Sequence, residues 1–202
     1  FFTRIRPHLH DLIAPFTITA HELPGEPEPC AAVADAPFAP IASGERWGRP
    51  WGTTWFRFEG TVPADWPADG LEAVIDLGFH PDSAGFQSEG LVWAPGADGR
   101  GAPVQGIHPR RTAVPLQVTA AGAIELVVEA AANPAFPMVG TQMGHLGSLS
   151  TAGDQPIYTL RQASLALRDD TVFHLLLDVE VLLGLMAALP AADKRRQRLL
   201  RD

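Results

Sequence analysis

The sequence predicts a mainly β fold, an antiparallel β-sandwich of jelly-roll-like type with a C-terminal helical segment. Three observations predict it. Apolar residues alternate with period two through much of 51–168, the spacing of strands with one buried face. No amphipathic helix separates those runs. Parallel crossovers are therefore not expected, and antiparallel sheets packed face to face are. Finally, 19 glycines and 19 prolines in 202 residues bring many turns and few long helices.

Residues 1–50 read as an N-terminal helix and a Pro-rich wrap. A short helix is expected around His8 to Ile13, bounded by Pro7 and Pro15. Pro24, Pro27, Pro29, Pro37, Pro40 and Pro50 follow. They remove backbone donors and block regular pairing, so 21–50 is expected to wrap a surface.

Residues 51–168 read as the sandwich. In Trp51 to Glu59, Phe56 and Phe58 take one side, and Trp51, Thr53, Trp55 and Arg57 the other. Leu71 to Phe79 places Leu71, Ala73, Ile75, Leu77 and Phe79 opposite Glu72 and Asp76. Val114, Leu116 and Val118 share a face, as do Ile124, Leu126 and Val128, which oppose Glu125 and Glu129. Ile157 to Arg168 alternates more loosely. Turn clusters at 63–70 and 96–103 separate the runs.

Residues 169–202 change period. Asp169, Asp170 and Thr171 are N-cap types. Val172, Leu175, Leu176, Val179, Leu182, Leu183 and Met186 then recur at helical steps, and this apolar face is expected to be buried. Pro190 ends the helix. An Arg-rich helix begins after it and meets no stop signal, which suggests a longer parent protein.

Composition narrows the function classes. The net charge is −8, and Lys194 is the sole lysine among 15 basic residues. With no basic stripe, neither nucleic acid nor an anionic membrane is an expected partner. Val172 to Leu189 is the most apolar stretch, but it holds His174, Asp178 and Glu180. It reads as a buried or amphipathic helix rather than a membrane span. The single cysteine, Cys30, excludes an internal disulfide and a cysteine zinc cluster, and fits a reducing compartment.

No catalytic or metal-ligating set emerges. His8, His10 and Asp11 lie close in sequence, yet no second His or Cys pair completes a site, and the run reads as a solvated surface segment. The Gly140 to Gly147 segment, with Met143 and His145, has neither nucleophile-elbow nor phosphate-loop spacing. The carbohydrate-binding candidates are Trp51, Trp55, Trp93 and Glu89. An indole stacks on a pyranose face while its N–H finds a partner. Trp51 and Trp55 share a face if their strand is unbroken. The competing expectation is core packing or cover by the wrap, with at least two of Trp47, Trp51 and Trp55 mostly buried. Glu89 precedes an apolar run and stands beside Gly90, where a carboxylate can meet a sugar hydroxyl or a neighbouring domain.

Several runs together resemble one family. They are Trp51 to Gly60, Glu89 to Trp93, Gly106 to Arg111, Val128 to Pro134, a strand containing Tyr158, and Asp178 to Leu182. Their order is similar to that in the N-terminal, non-catalytic domain of glycoside hydrolase family 38 α-mannosidases, cytosolic and vacuolar-type subgroup. The resemblance covers about Arg46 to Leu189. It implies an accessory domain of a zinc-dependent retaining α-mannosidase that hydrolyses terminal α-mannosides. Zinc and catalysis would belong to a catalytic domain outside this chain, toward which 169–202 would be the connector. That domain would be the main partner, the full-length protein a homo-oligomer, and the compartment cytoplasmic. The family's zinc motif has no counterpart here, so no catalytic, metal or cofactor residue carries over. An independent carbohydrate-binding module is the alternative.

Overall fold

The computed structural model describes residues 2–80, 85, 87–94, 101–118, 122–134 and 152–199. These form two compact units, Ala14–Ala166 and a second built from Phe1–Ile13 with Leu167–Asp202.

The strands are β1 (Leu12–Pro15), β2 (Thr17–Glu22), β3 (Ala39–Pro40), β4 (Arg46–Trp47), β5 (Thr53–Thr61) and β6 (Leu71–Asp76). They continue with β7 (Glu89–Ala94), β8 (Ala102–Ile107), β9 (Ala113–Pro115), β10 (Ala123–Ala131), β11 (Tyr158–Thr159) and β12 (Gln162–Leu167). A six-stranded sheet runs β3-β2-β5-β10-β7-β8, a four-stranded sheet runs β1-β12-β6-β9, and β4 pairs with β11. The neighbours in the larger sheet pair antiparallel. This is the mainly antiparallel, jelly-roll architecture that the alternation predicts.

The inner face of the larger sheet follows the pleat. Phe56 and Phe58 on β5 face inward, in register with Val128 and Leu126 on β10, and all four are buried. The two phenyl rings stack at 6.0 Å, and Trp47 meets Phe56 edge-on at 5.2 Å. The Trp47 indole donates to the Leu77 carbonyl at 2.8 Å, which satisfies its one polar atom inside the core.

The sandwich begins earlier than residue 51. β2 pairs with β5 from Thr17↔Glu59 to Glu22↔Thr54. The expected helix at His8 to Ile13 is a 3-10 turn over Arg6–His10, followed by β1. Glu72, expected opposite the core, is only 4% exposed, because β6 lies inside its sheet between β12 and β9. The stretch 23–38 does wrap. Leu23, Val33 and Trp55 form a buried cluster on the outer face of the larger sheet, with Cys30, Phe38 and Trp93 packed against it. Arg49 fixes the start of the wrap, donating to the Leu23 carbonyl at 2.8 Å.

The smaller unit holds α1 (Phe2–Ile5), the 3-10 turn, α2 (Asp170–Ala188) and α3 (Lys194–Leu199). Asp169 caps α2, its carboxylate accepting from the Val172 N–H at 2.9 Å. α2 stops at Ala188, two residues before Pro190, since a residue preceding proline leaves the helical region. The expected burial of its apolar face is not what is found. Leu176 is buried, but Leu175, Leu182 and Leu183 on the same side are exposed.

Candidate functional site

Three residues of the resembling runs, Glu89, Asn133 and Tyr158, meet Ser88 at one end of β7 and β10. The Tyr158 hydroxyl donates to the Asn133 carbonyl and accepts from the Ser88 N–H at 2.9 Å. Asn133 in turn donates from its side chain to Glu89 at 3.4 Å. Tyr158 also stacks on Trp47 at 5.6 Å. Burial raises the Tyr158 pKa above its ordinary value, and the hydrogen bonding with Ser88 works against that shift. The phenol stays protonated and serves as a staple between backbone segments.

Beside this knot lies a groove of about 420 Å3 on the outer face of the larger sheet. Its register explains its make-up. Glu129 on β10 stands opposite Leu91 on β7, which stands opposite Gly106 on β8. Glu89 stands opposite Ala131, in the adjoining row. Thr53 and His108 also line the groove. The small residues Gly106 and Ala131 keep the floor low. A Cβ on Gly106 would meet nothing nearer than the Gly90 carbonyl oxygen at 4.0 Å.

Desolvation by burial pushes the Glu129 carboxyl above its ordinary range, and the neighbouring Trp93 side chain works against that shift. Cys30 feels the same neighbourhood. Burial first, and then the Glu129 charge, raise its thiol pKa. A thiol so held is a poor nucleophile at neutral pH. The groove offers carboxylates, a hydroxyl and an imidazole for hydrogen bonding.

The four sequence candidates do not form one surface. Trp55 is fully buried under the wrap, so its ring cannot meet a ligand. Trp93 is half-buried and tilted 45° against Trp55 at 6.2 Å. Trp51 lies in the turn before β5 with φ of 66°, half-buried. The strand is therefore not continuous from Trp51, and the two rings share no strand face. Of the four, Glu89 alone lines the groove. Glu129, Thr53, His108 and Gly106 were missed as candidates. The signal for Glu129 was its place on the outward face of β10. What singles it out is its partial burial, with a raised carboxyl pKa, which alternation does not report.

His8 and Asp11 form an exposed pair at 3.3 Å. Among the described residues, no three His, Cys, Asp or Glu side chains gather as a metal site. The Gly140 to Gly147 segment lies outside the described residues.

The antiparallel sheets define the class, a jelly-roll domain. The family described as "Alpha-mannosidase, jelly roll domain" matches residues 14–166, and this chain belongs to it. The chain is similar to human alpha-mannosidase 2C1, 29% identical over 204 residues, covering 96% of this chain and 18% of that protein. Its likeness to the mouse alpha-mannosidase 2C1 is 30% over 165 residues, covering 78% of this chain and 14% of that protein. The chain thus spans less than a fifth of the length of these relatives.

Proposed function

We propose that this chain is the accessory jelly-roll domain of a zinc-dependent retaining α-mannosidase of glycoside hydrolase family 38, acting in the cytoplasm. Hydrolysis of terminal α-mannosides belongs to a catalytic domain elsewhere in the parent chain. This domain docks on that catalytic domain and contributes to the parent's homo-oligomeric assembly. The observation that carries the reading is the family match over 14–166, in a chain spanning only 18% of its human relative. The hydrogen bond from Tyr158 to the Asn133 carbonyl supports it, since it joins two of the runs that carry the resemblance.

The test compares the parent enzyme with this chain. The parent should hydrolyse an aryl α-mannoside and lose that activity to a chelator. The chain alone should neither turn the substrate over nor retain stoichiometric zinc after dialysis. Chelator-sensitive turnover by the pure chain would overturn the assignment and return attention to His8, His10 and Asp11.

A further inference from the structure

α2 is 19 residues long and strongly apolar, with a mean hydropathy of 1.8 that meets the requirement for crossing a membrane by length and composition. It is nevertheless poorly covered. Leu175, Leu177, Val181, Leu182 and Leu183 are each between 40% and 63% exposed, and Leu176 is its buried residue. At 3.6 residues per turn, Leu175, Leu182 and Leu183 project on one side of the helix. Leu177 and Val181 project on a second side. Asp178 lies between those two sides. Glu180 faces Arg6 at 3.8 Å.

We infer that α2 is a core helix of the larger parent protein, and that the remaining chain of the parent closes over both apolar sides. This rests on the reading of the chain as part of a longer α-mannosidase. A helix that is apolar around most of its circumference belongs inside a large body. The human relative, of which this chain covers 18%, has the length to supply such a body. Two other occupants fit less well. A bilayer would have to take Asp178 and Glu180 in the middle of the helix, where carboxylates are costly. A second copy meeting α2 across a two-fold axis covers one self-complementary stripe and leaves the other side in water. A closing protein body covers both sides and brings a hydrogen-bond donor to Asp178.

The test places one charge on each side, Val181→Asp and, separately, Leu182→Asp, in this chain and in the full-length parent. Both positions are exposed here, so each variant of this chain should melt within about 1 °C of its unsubstituted form, as surface changes do. In the parent, each should lower the melting temperature by roughly 5 °C or more, because an unpaired carboxylate enters an interior. Silence of both variants in the parent would make α2 a solvated connector and overturn the inference. So would an effect from one side only, accompanied by a dimer of this chain in light scattering that the same variant abolishes. Flotation of this chain with phosphatidylcholine vesicles would replace the protein occupant with a membrane. Mannosidase activity is read separately. A parent with no such activity that is still destabilised from both sides would overturn the functional reading and leave the α2 inference standing.

Discussion

Glu129 and Tyr158 show how single residues take their properties from burial and from the knot. In the folded state the Glu129 carboxyl is held above its ordinary pKa, chiefly through desolvation. A raised carboxyl contributes stability that is complete below the unfolded pKa and is lost as pH rises through the folded one. Melting temperature followed from acid to neutral pH should therefore contain a falling component that Glu129→Gln removes. A variant with an unaltered pH profile would mean that the carboxyl is well solvated. Tyr158→Phe tests the knot. It strips the Ser88 N–H of its acceptor and the Asn133 carbonyl of its donor. Unsatisfied buried polar groups cost about 1–3 kcal/mol each, so urea unfolding should show a loss of roughly 2–4 kcal/mol. Gly48 has a φ of 70°, and a Cβ there would lie 2.6 Å from the Ala132 Cβ. Gly48→Ala should cost about 2 kcal/mol or more, from left-handed backbone strain together with the clash.

At the scale of elements, strands were legible where one face is apolar and the other polar. β10 reads directly, because Ile124, Leu126 and Val128 are buried and Glu125 is exposed. β5 reads nearly as well, although its start shifts to Thr53 because Trp51 takes a positive φ. β2 was hidden. Its six residues contain one buried apolar side chain, Ile18, and its identity comes from pairing with β5. The two-residue strands β3, β4 and β11 carry no periodicity to read. α2 was legible as a helix, from its cap and spacing, but the spacing says nothing about what covers it. Of the candidate site, only Glu89 was legible. The groove around it arises from cross-strand register, which brings Glu129, Leu91 and Gly106 into one row. The wrap was legible from its prolines, and its packing makes a further prediction. Val33 is 2% exposed and packs with Trp55 over the outer sheet face. Val33→Asp places a charge in that cluster. Cys30 should then react with a thiol reagent at least about tenfold faster than in the unsubstituted chain, as local opening exposes it. Equal rates would mean that the wrap opens readily without the substitution.

At the scale of the whole molecule, sugar affinity separates an accessory domain from a binding module. A module needs an exposed ring face on which a pyranose can stack. Trp55 is at 0% exposure, and Trp47 is at 3% with its N–H committed to the Leu77 carbonyl. Trp93 leans on Trp55 at 45°, and Trp51 sits in a separate turn, so the two half-buried rings do not extend one platform. The groove beside Glu89 has carboxylates and a hydroxyl, but no indole among its lining side chains. Millimolar affinity corresponds to only about 4 kcal/mol of binding free energy. Even that is hard to reach where every hydrogen bond to a sugar replaces one to water. Titration calorimetry with mannose and mannobiose should therefore give no saturable heat at millimolar concentrations. Saturable binding that vanishes in Trp51→Ala, with the fold intact by circular dichroism, would establish Trp51 as a sugar contact and make the chain a binding module. Binding that vanishes instead in Glu89→Gln would place the sugar in the groove, with the β7–β10–β8 register as its recognition surface.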